Sequence, residues 1–546
     1  MQKGTKGYVG AGLTFTLLGG LLAGCGGTAT PAEVAKPADA AKPADAAKPA
    51  DTAKPAESAK PITLSWMRYE HPSQALVSDS QTVQEILKKK NVKLELQSTP
   101  QSNYDDKKKT LIATNSIPDV IMVKQDDLSN FSDSGIFLDL TPYIDKMPNF
   151  KKILQEHPEI NKNKFDGKLF GFPFVQKWAI QAGQVPMIRV DLLTKLNLKA
   201  PTTYDELYQV LKKFKEAYPD TFPFTSRAAN GLTGTENVVN PIAFGFGSGY
   251  TNINGTKVYY DPKLKQYKFG PAMPEFKEAI TFLNKLYKEK LLDPDYATAT
   301  SQIWQEKLSS GKSLFFQDNN GFATNFNLAL QKKEPDAKFD LLPTMDSGQG
   351  VKRNALYQLD HLGESYAISA KVKNPDQVIQ FVDWLYSEEG MKLTSWGIEN
   401  TDYTFANNVY KISDATLAKY KDKPDPYRAM SSALGLGYLG LALYADDNPS
   451  VASQPKEFLE WGDKNLKALT DGLAFRQSFD PPFNKDEREK LKQLRTQLDA
   501  FMTQNMDKYI MTDGALSDWD NFIKQCKDKG ATEIEKIYND ALARVK

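Results

Sequence analysis

Hydrophobic and polar residues alternate over residues 62–68, with Ile62, Leu64 and Trp66 on one side, which predicts a strand. The period then lengthens. Val83, Ile86 and Leu87 share one face of a helix over 80–89, and alternation returns through Leu94 and Leu96 over 92–97. A second helix near 104–114 leads into a short Val/Ile run at 119–123, a third strand. Strands and helices linked this tightly imply a parallel sheet covered on both faces. Ligands of such sheets sit outside the carboxyl ends of the strands. That rule places Trp66, Tyr69 and Glu70 near a binding edge.

The second half is mainly helical. Phe276, Ile280, Leu283 and Tyr287 form one face over 275–290. Asn374-Pro375-Asp376-Gln377 predicts a capped helix start, with Val378, Phe381, Val382 and Leu385 as its buried stripe and Gly390 as its stop. Helices come next at 485–502 and 517–527, and a last one runs through Ile534, Ile537, Tyr538 and Ala541. Cys526 follows Trp519, Phe522 and Ile523 at helical spacing and is read as core, as are Trp384 and Trp461.

Lys3 and Lys6 precede an apolar stretch over 8–22, the layout of a signal peptide at 1–24 and shorter than a membrane span. Leu22-Ala23-Gly24-Cys25 resembles the bacterial lipobox, in which the cysteine thiol takes a diacylglycerol and becomes the mature N-terminus. A fatty-acyl anchor such as palmitate at Cys25 is expected. Residues 25–61 continue with Ala, Lys, Pro and Asp at a period of six, too poor in bulky apolar side chains to fold. The regular prolines favour polyproline II, a semi-stiff leash reaching ~100 Å.

About 485 residues remain, more than one hydrophobic core, which suggests two lobes. With 69 basic and 68 acidic residues, no broad field points to nucleic acid or to an anionic membrane. Once Cys25 is lipidated only Cys526 is left, so no intrachain disulfide forms.

Several segments look familiar in order along the chain. They are Ile117-Pro118-Asp119-Val120, Asp139-Leu140-Thr141-Pro142-Tyr143-Ile144 and Asp166-Gly167-Lys168-Leu169-Phe170-Gly171-Phe172-Pro173. Ile188-Arg189-Val190-Asp191-Leu192-Leu193, Pro201-Thr202-Thr203-Tyr204-Asp205-Glu206-Leu207, Tyr386-Ser387-Glu388-Glu389-Gly390 and Trp396-Gly397-Ile398-Glu399-Asn400 continue the series. Together they resemble the extracellular solute-binding proteins of ABC importers, most closely the large LplA/LipO-type lipoproteins of Gram-positive carbohydrate uptake. Asn400 departs from that pattern, where glycine is usual.

The resemblance implies a helix-rich α/β fold of two lobes, the periplasmic-binding-protein or Venus-flytrap architecture, closing on ligand by a hinge. Lobe one is assigned 62–174 plus 350–408, and lobe two 175–349 plus 409–546. The first crossing follows Pro173 and the chain returns near 359–368. The implied partners are an oligosaccharide and a membrane permease with a separate ATPase. The chain is expected to be a monomer on the outer face of the cell membrane, touching it through lipid only, with no cofactor, no metal and no nucleic acid.

Two nucleotide-like patterns are decoys. Gly435-Leu436-Gly437-Tyr438-Leu439-Gly440 fits G-x-G-x-x-G but comes after no strand pattern. Gly311-Lys312-Ser313 lacks the earlier glycine of a phosphate loop. The acidic pairs Asp105-Asp106, Asp126-Asp127 and Asp446-Asp447 lack EF-hand spacing. Residue types leave open an extracellular glycoside hydrolase using two carboxylates, or capture of another solute such as a peptide.

Sugars present apolar C–H faces ringed by hydroxyls, so their sites pair aromatic rings with amides and charged groups. Loops at strand ends supply the candidates: Trp66, Tyr69 and Glu70; Trp178 and Gln181 after the first crossing; Gln317, Asp318 and Asn319; and Asp360, His361 and Tyr366 around the return. Trp66 and Trp178 are expected to face each other across the cleft. The glycine-rich loop 244–250 is a further candidate wall.

Overall fold

The computed structural model describes residues 60–71, 74–178, 181–228, 232–357, 363–406, 409–423, 426–446, 448–451 and 455–544. Cys25, the signal segment, the tether, Asp360, His361 and the side chain of Trp178 lie outside the described residues.

The first lobe keeps the alternation read from the sequence. Strand β1 (Ile62–Glu70), helix α1 (Gln81–Lys90), strand β2 (Val92–Pro100), helix α2 (Gln101–Ala113) and strand β3 (Val120–Lys124) come in succession. β1 lies between β2 and β3, parallel to both, with Ile62 opposite Val92 and Trp66 opposite Val120. Two later strands complete this sheet. Glu364–Ile368 runs antiparallel to β3, and Gly171–Pro173 pairs at its far side. Leu64, Trp66, Met67, Ile86, Val120, Tyr366 and Phe381 share one buried core.

In the second lobe a sheet has the order Phe315–Asn319, Gly183–Arg189, Asn354–Leu356, Ala474–Arg476, with Phe339–Leu341 also on Gly183–Arg189. One face packs on Leu207, Phe276, Ile280, Leu498, Trp519, Cys526 and Tyr538. The other face packs on Trp304, Phe326 and Trp461. The C-terminal helices Lys485–Met511, Trp519–Asp528 and Ala531–Ala543 belong to the first of these cores.

The expected division at 350 and 408 moves at both places. Asn354–Leu356 hydrogen-bonds in the second sheet. Leu439, Leu441 and Leu443 alternate into the first core, while Gln74 and Thr82 donate to the carbonyls of Leu436 and Leu434. The described residues of 409–443 therefore pack on lobe one. A third crossing, not expected from the sequence, comes at Tyr444–Asp446, a strand paired in parallel with Val175–Trp178 of the first crossing.

Three local expectations also change. The helix Pro375–Leu385 begins where expected, but Asn374 is left-handed (φ 56°) and makes no side-chain cap. Gly390 sits inside the next helix, Glu388–Trp396, capped by Ser387. A Cβ at Gly390 would overlap the carbonyl of Trp384, so the glycine permits the close approach of two helices rather than ending one. Asn400 has φ 62°, and its amide donates to Tyr403 at 2.8 Å, so asparagine fills the left-handed position that glycine would favour.

Candidate functional site

Between the lobes lies a cavity of about 680 Å³. Its first wall is the carboxyl end of β3 and the turn into the next helix, Lys124, Gln125 and Asp126, with Glu364 beginning the antiparallel neighbour and Tyr438 above it. The strand-end rule thus locates the cavity at β3. At β1 it fails for a physical reason. The loop after Leu434 covers that edge, and Arg68 donates to the carbonyls of Tyr438, at 2.9 Å, and Gly440.

The second wall rests on the helix Gly234–Phe246. Thr233 Oγ1 accepts from the Glu236 amide at 3.1 Å and the Glu236 carboxylate accepts from the Thr233 amide at 2.8 Å, a capping box that fixes the start. Lys257 pairs with the other oxygen of Glu236. From that start Asn237, Asn240 and Phe244 fall on one face, spaced three and four residues apart, and all three line the cavity. Phe475 meets Phe244 edge-on with ring centroids 6.4 Å apart. Beneath Phe244 lies Arg353, its guanidinium carbon 4.3 Å from the ring centre and Nη1 3.2 Å from Asp261. Gly249 and Tyr250 of the glycine-rich loop line the cavity as well, and Tyr357 begins the second crossing. Burial pushes the Tyr357 phenol well above its usual range, so it stays a neutral hydrogen-bonding group.

The candidates chosen from sequence divide sharply. Trp66 and Tyr366 pack with centroids 4.5 Å apart and ring planes inclined by 58° in the lobe-one core, both essentially inaccessible, so neither offers a face to ligand. The expectation that Trp66 is a cleft platform is corrected: β1 is central in its sheet and covered on both faces. Tyr69 is also buried, its hydroxyl 3.5 Å from that of Tyr438, which in turn donates to Glu364. Glu70 accepts from the Leu76 amide at 3.1 Å. In lobe two, Gln317 and Asp318 are buried, and Asp318 is salt-bridged to Arg227 at 2.9 Å. Asn319 turns back onto the Gly321 amide at 2.9 Å. Gln181 receives Arg476, a cavity-lining residue.

Asn237 and, except as the first residue of the glycine-rich loop, Phe244 were not among the candidates, nor were Tyr438, Phe475 and Arg476. Helical spacing over 237–244 carried a signal for the first two. Phe475 and Arg476 lie on a three-residue strand with no legible pattern. Among the described residues no group of three or more His, Cys, Asp or Glu side chains is placed to hold a metal ion, and no helix is long and apolar enough to cross a membrane.

Against known proteins, residues 74–392 match the family described as bacterial extracellular solute-binding protein. Lipoprotein LipO of Bacillus subtilis is 27% identical over 325 residues, 57% of this chain and 61% of that protein, so less than two thirds of LipO is covered. The polygalacturonan/rhamnogalacturonan-binding protein YtcQ of Bacillus subtilis is 24% identical over 548 residues, 97% of either chain. The crystal structure of the alginate-binding protein AlgQ2 without calcium ion has the same fold, with TM-score 0.70 and 23% identity over 89% of this chain and 99% of that one.

Proposed function

Because the chain belongs to the bacterial extracellular solute-binding protein family, we propose that it captures an oligosaccharide in the cleft and delivers it to an ABC importer. The observation that carries this is the lining. Phe244 and Phe475 offer apolar ring faces, while Gln184, Asn237 and Asn240 supply amides that donate and accept. A sugar needs both, and the cavity of about 680 Å³ has room for several rings. The curated relatives whose names state a ligand point the same way: YtcQ is described as polygalacturonan/rhamnogalacturonan-binding, and FusA of Streptococcus pneumoniae as a fructooligosaccharide ABC transporter substrate-binding protein.

A ligand touching both walls stabilises only the closed form, so closure reports occupancy to the permease. The paired crossings Val175–Trp178 and Tyr444–Asp446 are the hinge in this reading. The protein works as a monomer, held at the outer membrane face through acylated Cys25, and returns its ligand chemically unchanged.

The test is an oligosaccharide panel read by melting temperature. A ligand at 100 times its Kd adds about 2.7 kcal/mol. A stabilising sugar recovered intact supports the reading. Catalytic appearance of shorter sugars overturns it in favour of a hydrolase, and stabilisation by peptides alone overturns the ligand class.

A further inference from the structure

We infer that the cleft selects an acidic oligosaccharide and that Arg476 receives its carboxylate. This rests on the oligosaccharide reading and narrows it to uronate-containing chains.

Most cations in and around the cavity are already paired. Lys124 reaches Asp105 at 2.8 Å, and Arg495 reaches Asp499 at 3.3 Å. Deeper in lobe two, Arg189, Arg227 and Arg353 each have an aspartate. Arg476 differs. It lines the cavity, yet among the described residues it has no carboxylate in ion-pair reach. Its bonds go to neutral oxygens: Nη1 to the carbonyl of Tyr357 at 3.1 Å, and Nη2 to the side-chain oxygen of Gln181. The Gln181 backbone is itself held, its main-chain carbonyl accepting from the Asn465 side chain at 3.0 Å. Among the described residues the guanidinium is therefore aimed without being neutralised, and the rest of its five donors are left for a partner.

Burial disfavours the charged form of Arg476, and among the described residues no neighbouring anion offsets that. The group stays protonated all the same, because a guanidinium does not lose its proton in proteins at ordinary pH. A charge held in this way gains from an incoming anion what an exposed arginine does not.

Geometry favours carboxylate over phosphate or sulfate. The planar fork matches a planar carboxylate, and one unpaired cation balances one negative charge. A dianionic phosphate would call for a second unpaired cation, and the other cavity-lining cations, Lys124 and Arg495, are already paired. Phe475, the preceding residue in the chain, lines the same cavity with an apolar ring, and a pyranose bearing a carboxylate calls for both kinds of group. Arg476 also touches the start of the second crossing through Tyr357 and the end of the first through Gln181. An anion bound there sits at the hinge.

The experiment uses the mature protein and trimers of galacturonate, glucuronate and mannuronate, each beside its carboxyl-reduced neutral counterpart, in titration calorimetry. The expected result is that one acidic trimer binds about tenfold or more tightly than its neutral counterpart. Raising salt from ~50 to ~500 mM should narrow that ratio. Arg476→Gln should bring the ratio toward one, and Arg476→Lys should keep part of it. The salt series on the unaltered protein reads the same charge without relying on either variant to fold. If only neutral trimers bind, or if Arg476→Gln keeps the preference, the inference falls and the oligosaccharide reading stands. If no member of an acidic and neutral panel binds, the oligosaccharide reading itself falls.

Discussion

Arg227 grips Asp318 with two bonds, Nε to Oδ2 at 2.9 Å and Nη2 to Oδ1 at 3.2 Å, and both side chains are buried. Asn237 adds a donor to the same carboxylate at 3.0 Å, and Gln184 donates to Asn237 at 2.8 Å. The chain of bonds therefore runs from a buried ion pair to two amides on the cavity wall, and it fixes which atoms those amides show to a ligand.

Asp318→Asn should accordingly act first on folding. It leaves Arg227 buried beside a neutral amide, at a cost of about 3–5 kcal/mol. Denaturant titration measures this. A stability within about 0.5 kcal/mol of the parent would show that the pair is not the support described.

Phe475→Ala should do the reverse. The ring is only partly buried and faces the cavity, so its loss should weaken oligosaccharide binding by about 5- to 150-fold, or about 1–3 kcal/mol. The ligand-free melting temperature should move little. Calorimetry and melting, run on the same sample, separate the two effects, and normal affinity in a folded variant would remove Phe475 from the site.

Trp66→Ala tests the corrected position of that residue. Packed on Tyr366 and Phe381, it should cost about 3–5 kcal/mol of stability. The fraction that still folds should bind ligand nearly as well as the parent. A melting temperature that holds while binding fails would return Trp66 to the cleft.

The last prediction concerns pH. Burial pushes the Cys526 thiol from 9.0 up to about 12. Its folded value is thus the raised one, so its contribution is complete below pH 9 and is lost as pH rises towards 12. Between those limits the unfolded chain gives up a proton that the native protein keeps. At pH 10 the protein should have lost about 1.4 kcal/mol more than Cys526→Ala loses over the same rise from pH 8. Parallel denaturant curves at the two pH values measure this, and equal losses would place the thiol in contact with water.

How much could be read from the sequence depends on the range of each interaction. The order from β1 to β3 was readable because side-chain period is local, and the late strand Glu364–Ile368 was not assigned a partner because pairing is long-range. Trp66 illustrates the limit most clearly. Alternation says that it shares a face with Leu64, but not that helices close over that face. Asp318 meets Arg227 across 91 residues, so spacing alone could not say whether it would hold a ligand or an arginine. Gly390 looked like a helix stop because the other reason for a glycine, a neighbouring carbonyl too close for a Cβ, exists only in three dimensions.

Ile368 lies opposite Val120 in the first sheet, and Leu443 closes the same core. A chain synthesised and exported from its N-terminus therefore delivers β1, β2 and β3 long before the strand that covers one side of β3. Through that interval the edge of β3 is bare, and so is the apolar surface awaiting Phe381 and Leu443. Neither lobe corresponds to one continuous stretch of sequence, so cutting the chain between them yields no self-sufficient half. Most of the polypeptide must emerge before either half is complete, which makes the growing chain, rather than the finished protein, the form most exposed to proteases and to aggregation.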